Sequence, residues 1–297
     1  MKVLCIGHAT YDVVIPIENY PIENTKNRVD NSICCGGGPS ANAAYLLAKW
    51  GIDTYFAGSV GADYAGNYIE AEFNKIGVKL DYFIKSNDLK TTSSYIIVNT
   101  KNGSRTTLST KISINNIDYK DIDIKPDIIL IDGYEVELSK KVINNNKDSV
   151  VVIDAGKCTP DIVDLCHLSN YIVCSLEFAK DYTKSEDIDT MMDRLKRDFE
   201  GEVIITLEDN GCCYYQGEDV KIVKSIPTKP VDTTGAGDIF HGAFVYGLIN
   251  KWDMYKNLSF ACTTSGMSVT KLTGRRSIFP LNQIESVYDE LRKCNFY

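Results

Sequence analysis

The sequence has few of the features that mark membrane, secreted or nucleic-acid-binding proteins. It contains no apolar stretch of about 18 residues, the length that a transmembrane helix needs, and the apolar run in its opening MKVLCIGHAT is too short for a signal peptide. Basic residues are in deficit, because 32 Lys and Arg against 40 Asp and Glu give a net charge of -8. That balance disfavours broad binding to nucleic acid or anionic membrane. We therefore expect a cytoplasmic protein with neither kind of partner.

Several catalytic and cofactor-binding patterns are also missing. None of the ten cysteines forms a CxxC pair, and adjacent cysteines, as in Cys34-Cys35, have poor geometry for a disulfide or for tetrahedral zinc. We expect reduced cysteines that mostly pack in the core. The three histidines have no convincing Ser or Cys partner, which disfavours a hydrolase triad. No GxxxxGK[ST] occurs, so the sequence excludes a Walker A loop.

What the sequence does contain is a regular alternation of short apolar strands and helical patterns. Runs such as KVLCIG, TYFAGSVG, DIILIDG and EVIITLE are separated by stretches such as SANAAYLLAKWG, and the last third predicts helices at 236–250, about 255–270 and 281–293. This order is typical of a mostly parallel sheet covered by helices on both faces. With 44% hydrophobic residues, the chain can bury a large core. We expect one α/β domain over residues 1–297.

Two segments interrupt this alternation. Residues 11–35 and 81–112 read as strands and turns with no intervening helix, and in the second SSYIIVN and SRTTLST flank TKNG, a hairpin signal. We predict a small β layer that projects from the α/β body. It is either a lid or an extra pair of edge strands with no moving role. Its exposed edge would suit a homodimer.

The stretch VDTTGAGDIFHGAF (231–244) places small residues between two carboxylates where a helix begins. Apolar residues from 239 onward follow the helical period, which puts Gly235, Ala236 and Gly237 at the first turn. Their backbone N–H groups and the helix dipole would form an anion hole. Asp238 projects from the same turn, and a role beyond capping is indicated because capping needs no pair of glycines. The stretch does not match the dinucleotide pattern GxGxxG.

A second glycine-rich stretch, GGGPSAN (36–42), follows an extended segment and precedes a helix. Glycines such as Gly37 and Gly38 let a ligand approach the backbone closely, and Asn42 offers a donor and an acceptor to sugar hydroxyls. Asp12 follows the first strand, at the edge where ligands of open α/β sheets bind. These residues predict a binding site for a small polar molecule.

Together, DTTGAGDIF (232–240) and GGGPSAN resemble the two signatures of the ribokinase (PfkB) family of carbohydrate kinases. The similarity extends through nearly the whole chain, with GHATYD, GSVGAD, VIITLEDNG and SGMSVTKLTGRRSIFP. Members of the family fold as a three-layer α/β/α sandwich with a β-sheet lid over the sugar. The resemblance therefore implies ATP-dependent phosphorylation of a sugar hydroxyl.

The resemblance also assigns roles to individual residues. Asp238 would accept the proton of the attacking hydroxyl, and the segment Gly235–Gly237 would hold the transferred γ-phosphoryl group, where charge stabilisation dominates catalysis. The sugar would bind to Asp12, Gly37, Gly38 and Asn42. The nucleotide would bind near Thr206 and Gly211, with Gly274 in a loop near adenine. Mg²⁺ would bridge the phosphates, and Asp232 matches a position that helps to hold a monovalent cation such as K⁺ in some members.

Two stretches depart from the ribokinase pattern. The N-x-x-E motif, associated with Mg²⁺ and phosphate, reads CSLEFAKDY here, with Ser175 in place of Asn and Glu177 one position early. The TLGxxG pattern reads TLEDNG, with Glu208 in place of Gly. Both changes resemble the ketohexokinase-like branch more than ribokinase itself. We keep Ser175 and Glu208 as predicted ATP-binding residues and Glu177 as a predicted metal ligand.

The substrate class rests mainly on Arg105, on the return strand of the predicted hairpin. It resembles the arginine of the NGNRTI-type lid segment in ketohexokinase-like members, and its planar fork could bind hydroxyls or a phosphate. A sugar phosphate would call for more than one cation, so we favour a free sugar, such as a ketose. Two other functions stay open. A nucleoside kinase would need apolar lid residues to hold a base, and a silent sugar-binding regulator would have no need of Asp238.

Overall fold

The computed structural model describes residues 1–110, 117–119 and 121–297. Within them lie thirteen strands: β1 (Lys2–Ile6), β2 (Thr10–Ile17), β3 (Ile33–Gly37), β4 (Asp53–Gly61), β5 (Lys79–Ser86), β6 (Ser93–Asn99), β7 (Arg105–Ser109), β8 (Ile128–Ile131), β9 (Val150–Ala155), β10 (Tyr171–Ser175), β11 (Glu202–Thr206), β12 (Cys212–Gln216) and β13 (Asp219–Val223). The described helices are α1 (Pro39–Lys49), α2 (Tyr64–Ile76), α3 (Val136–Asn145), α4 (Pro160–Cys166), α5 (Leu176–Thr183), α6 (Ile188–Asp198), α7 (Ala236–Ile249), α8 (Met254–Ser268) and α9 (Leu281–Lys293).

Nine strands form the large sheet, in the order β13-β12-β11-β10-β9-β8-β1-β4-β5. All neighbouring pairs from β11 to β5 are parallel, whereas the pairs β11–β12 and β12–β13 at one edge are antiparallel. Strands such as β8 (IILI) are buried along their whole length, as expected for parallel strands that are covered on both faces. The carboxyl ends of the parallel strands meet at one edge, where open α/β sheets bind ligands.

Helices cover both faces of this sheet. One hydrophobic cluster joins the sheet to α1, α2, α7, α8 and α9, through side chains such as Leu46 and Phe244. The other joins it to α3–α6, through side chains such as Leu165 and Phe178. The structure therefore has the predicted three layers. No helix in the described part of the chain is long and apolar enough to cross a membrane.

A separate small sheet has the order β3-β2-β6-β7. Strands β6 and β7 form the predicted antiparallel hairpin, with Val98 opposite Arg105. The small sheet thus draws on both segments that interrupt the α/β alternation. The second segment begins later than predicted, however, because residues 81–86 belong to β5, which pairs with β4 at the edge of the large sheet. The end of that segment, residues 111 and 112, lies outside the described residues.

Candidate active site

The start of α7 has the geometry that the sequence predicts for an anion hole. Gly235 caps the helix in the left-handed conformation (φ 75°), which glycine adopts without strain, and Gly237 is exposed. The N–H groups of a first helical turn have no partner inside the helix. That of Ala236 makes only a long turn bond to the carbonyl of Thr233, at 3.3 Å. The turn can therefore present N–H donors to an anion.

The predicted base and a predicted sugar-binding residue are in direct contact. Asn42 of α1 donates a hydrogen bond from Nδ2 to Oδ2 of Asp238, at 2.7 Å. A Cβ atom built on Gly235 would lie 3.5 Å from Asn42 Nδ2 and 3.0 Å from the Cα of Gly274. Gly274 therefore lies beside Gly235 at the predicted anion hole, and its place near adenine stays a prediction. Residues almost 200 positions apart form one centre.

Asp12, a third predicted sugar-binding residue, lies on the small sheet. It lies on β2 one pleat from Thr10, which pairs with Gly37 on β3 and donates a hydrogen bond from Oγ1 to the Asp12 carboxylate at 2.7 Å. A side chain on Gly37 would overlap that carboxylate, and one on Gly38 would overlap the backbone carbonyl of His8. Burial raises the pKa of Asp12 to about 6, helped by the negative charge of Asp238. The glycines thus let the chain fold tightly around a buried carboxyl group.

The loop that leads into the anion hole is held from two sides. Asp232 is buried, and its two oxygens accept hydrogen bonds from the backbone N–H groups of Thr234 and Thr273, both at 2.8 Å. On the other side Arg105 of β7 donates to Oγ1 of Thr233 at 2.6 Å. The Thr233 hydroxyl in turn donates to the carbonyl of Gly103 in the hairpin turn, at 3.2 Å. The small sheet therefore directly contacts residues 232–235, the predicted phosphate-binding loop.

The predicted nucleotide-binding residues lie together at the ends of β10 and β11. Ser175 pairs with Thr206, but both hydroxyls already serve the protein's own backbone. Ser175 caps α5 by accepting from the N–H of Phe178 at 2.9 Å, and Thr206 donates to the carbonyl of Cys174 at 3.3 Å. Glu208 has a positive φ of 56° and lines a cavity of about 570 Å³, whose other walls come mainly from α5, β13 and the loops that follow β11 and β13.

Two further residues predicted for this region, Gly211 and Glu177, lie in a turn and on an exposed helix surface. Gly211 (φ 94°) ends the turn after β11, and its carbonyl accepts from the N–H of Leu207 at 2.7 Å. Glu177 is exposed on the first turn of α5. Across the described residues, no group of three or more His, Cys, Asp or Glu side chains is arranged to hold a metal ion.

Sequence reasoning missed two residues next to this site. Arg275 is buried and donates to Asn42 Oδ1 at 3.1 Å. Asp154, at the end of β9, lies 3.3 Å from Nδ1 of His241, and its burial together with the charge of Asp238 raises its pKa to about 6. An Asp at the end of a buried strand was a readable signal for Asp154. Nothing local marks Arg275, since its partners come from distant helices.

Comparisons with known proteins agree with this fold. Mouse ketohexokinase is 24% identical over 283 residues, which cover 89% of this chain and 95% of that protein. A solved structure from Agrobacterium tumefaciens, provisionally named a ribokinase, superposes with a TM-score of 0.91 at 21% identity and covers 98% of both chains. A provisionally named ribokinase II from E. coli, solved with ATP and Mg²⁺, gives a TM-score of 0.78 at 18% identity, over 97% of this chain and 99% of the other.

The family model for pfkB family carbohydrate kinases matches residues 1–280. The match covers both glycine-rich signatures and every residue that we assigned to the site. The predicted fold and enzyme class, an ATP-dependent carbohydrate kinase with a ribokinase-like fold, are therefore confirmed. This chain belongs to the pfkB family of carbohydrate kinases.

Proposed function

We propose that this protein transfers the γ-phosphoryl group of ATP to a hydroxyl group of a free sugar, with Asp238 as the base. The observation that carries the proposal is the 2.7 Å contact between Asn42 and Asp238 beside Gly235, which unites a sugar-binding amide, a base and an anion hole. In the reaction, Asp238 takes the hydroxyl proton while the sugar oxygen bonds to the γ-phosphorus. The bond from that phosphorus to the bridging oxygen breaks, and ADP leaves with the electron pair.

The inner face of the small sheet favours a polyhydroxylated acceptor. Asp12 lies beside Ser94 of β6, whose hydroxyl is 2.9 Å from that of Ser109 on β7. Apolar residues on the same face are already used in packing, because Val14, Ile96 and Val98 are buried together with Ile33 and Leu272. They offer no free surface for a nucleoside base, so the described part of the lid fits a sugar better than a nucleoside.

The charges near the acceptor support an unphosphorylated sugar. Arg275 is neutralised by Glu72 at 2.9 Å, and Arg105 is bonded to Thr233. Asp12, Asp154 and Asp238 make the centre acidic, since the charge of Asp238 raises the pKa of each of the other two. A phosphate on the acceptor would meet more negative than positive charge. A ketose is the acceptor that we expect, in keeping with the resemblance to the ketohexokinase-like branch.

Two carboxylates, Asp154 and the predicted metal ligand Glu177, are available for a divalent cation. Mg²⁺ commonly keeps several waters and binds one or two carboxylates together with substrate phosphates, so it needs no complete protein cage. Asp154 and Glu177 are the side chains that would hold it with the phosphates of ATP. Bound there, Mg²⁺ would neutralise charge on the transferred group. A requirement for K⁺ near Asp232 stays a prediction, which assays in potassium, sodium and choline salts would test.

An ADP-release assay over free ketoses, aldoses, their phosphate esters and nucleosides tests the proposed function. We expect the highest kcat/KM with a free ketose, and no turnover above background with Asp238→Asn as the control for contaminating kinases. The highest kcat/KM with a nucleoside would make the chain a nucleoside kinase. Sugar binding without any turnover would support the silent regulatory alternative.

We also propose that the small sheet forms a homodimer contact. Its outer face exposes Tyr95 (46%) and Leu108 (60%), which lie directly opposite each other on β6 and β7. Every residue of the edge strand β7 is exposed. Sedimentation analysis should show a dimer that Leu108→Glu dissociates. A wild-type monomer at assay concentration would contradict the proposal.

A further inference from the structure

Arg275 occupies an unusual position for a charged side chain. It is only 2% exposed and lies in the loop between α8 and α9, immediately after Gly274. Its guanidinium group donates to Glu72 of α2 at 2.9 Å and lies 4.5 Å from the centre of the Phe73 ring. Burying an arginine is costly unless its hydrogen bonds and its charge are matched. The remaining contacts of the Arg275 guanidinium group indicate its role.

The decisive contact is with Asn42. The Nε–H of Arg275 donates to Oδ1 of Asn42 at 3.1 Å, while Nδ2 of the same amide donates to Asp238 at 2.7 Å. An arginine can only donate and an ionised carboxylate can only accept. An amide that bridges the two has one orientation that satisfies both, with its oxygen toward Arg275 and its nitrogen toward Asp238. Arg275 therefore orients the Asn42 amide so that its nitrogen, and not its oxygen, points toward the proposed base Asp238.

The glycine-rich turn is built around the same ion pair. The backbone N–H of Gly36 donates to Oε2 of Glu72 at 2.8 Å, and the carbonyl of Gly37 lies 3.4 Å from the guanidinium group. A side chain on Gly36 would overlap the Arg275 guanidinium group. Glycine at 36 is thus required by the arginine that packs against the turn.

We propose that Arg275 is a positioning residue for catalysis. By holding the Asn42 amide, it sets the orientation of the Asp238 carboxylate toward the acceptor hydroxyl. This inference rests on the proposed role of Asp238 as base. Small misplacements of a reacting group cost up to about a hundredfold in rate, so loss of this restraint should be visible in kcat.

The test uses a charge-neutral double variant, Glu72→Gln with Arg275→Met. The new amide at position 72 can still accept from the N–H of Gly36, the methionine side chain fills most of the arginine's volume, and removal of both charges avoids an unpaired buried ion. We expect a thermal midpoint close to wild type, an unchanged KM for ATP and a kcat lower by about tenfold to a hundredfold. Arg276→Gln is the matched control, because Arg276 is exposed and its guanidinium group donates to the backbone carbonyl of Cys34 rather than to Asn42. A wild-type kcat in the folded double variant would overturn the proposal.

A double-mutant cycle with Asn42→Ala separates positioning from general support of the structure. If Arg275 acts through the amide, the charge-neutral pair should lower kcat little further once Asn42 is gone. If the charge-neutral pair lowers kcat by the same factor with and without Asn42, the proposal is overturned.

A crystal structure of the charge-neutral variant tests the same point without relying on activity. We expect the Asn42 amide to turn away from Asp238, and an unchanged Asn42–Asp238 bond would overturn the proposal even if the wild type proved inactive on every acceptor. Lack of activity in the wild type would instead count against the proposed function alone.

Discussion

The two halves of the candidate site are built differently. On the predicted acceptor side, side-chain hydrogen bonds hold each functional group: Thr10 donates to Asp12 within β2, Asn42 donates to Asp238, and Arg275 donates to Asn42. On the nucleotide side, Ser175 and Thr206 are bonded to the protein's own backbone. Glu208 faces an open cavity.

This difference shows how far each half of the site is ordered by the protein's own contacts. The acceptor side is organised before any ligand binds, which reduces the reorganisation that catalysis requires. The predicted nucleotide side offers a cavity lined by Lys180 and Lys224 together with Glu186, Glu208 and Asp209, so it has no net positive charge for a triphosphate, and we expect ATP and its metal to supply most of their own charge balance. Substitutions on the acceptor side should therefore change kcat strongly, whereas those on the nucleotide side should change KM for ATP modestly.

The largest effect should come from Asp238→Asn. The amide keeps the size of the carboxylate but cannot accept the hydroxyl proton, so kcat should fall by about 10² to 10⁴, the usual contribution of a general base. Sugar binding, measured by calorimetry, should remain. Near-normal turnover would exclude Asp238 as the base, and substitutions on the acceptor side would then no longer be expected to change kcat more strongly than those on the nucleotide side.

Removal of divalent cations should also abolish most activity. The described residues hold no ready-made metal cluster, so Mg²⁺ must be bound jointly by ATP and a few carboxylates. Excess chelator should reduce ADP release to background, and added Mg²⁺ should restore it. An Asp154→Asn variant should need more Mg²⁺ for half-maximal activity. Full activity in chelator would show that the nucleotide side neutralises the triphosphate unaided.

The comparison also explains what the sequence could reveal. The helix that begins at Ala236 and the parallel sheet follow from local periodicity, and both were predicted correctly. Contacts such as that between Asn42 and Asp238 were implied only because a family resemblance paired the two signatures. Arg275 could not be predicted, since its burial depends on Glu72, about 200 residues away in the chain. The small sheet uses less of the second segment than expected, because residues 81–86 pair with β4 at the edge of the large sheet.

A smaller effect should follow from Arg105→Ala. The variant loses the 2.6 Å hydrogen bond to Thr233, by which the hairpin contacts the phosphate-binding loop. One such bond contributes about 1 kcal/mol, so kcat/KM for a free sugar should fall by about threefold to tenfold. Lys101→Ala is the control, because Lys101 lies in the same hairpin turn but contacts Asn19. The proposed free-sugar specificity fails if the wild type prefers a phosphorylated sugar and the variant selectively loses that preference.

The smallest effect should come from Glu208→Gly. Glu208 has a φ of 56°, a conformation that costs a non-glycine residue about 1–2 kcal/mol, although the added flexibility of glycine in the unfolded chain offsets part of the gain. The free energy of unfolding should therefore rise by up to about 1 kcal/mol in denaturant titrations. Loss of a carboxylate from the wall of the cavity should also lower KM for ATP by about twofold, since a triphosphate would no longer meet that charge at close range.

Lys184→Gly, with a φ of 52° at the end of α5, is the matched control for the backbone effect. It should raise stability in the same way and leave KM for ATP unchanged. A similar change of KM in both variants would mean that ATP does not bind against Glu208, and the nucleotide side would have to be sought elsewhere along the sheet edge.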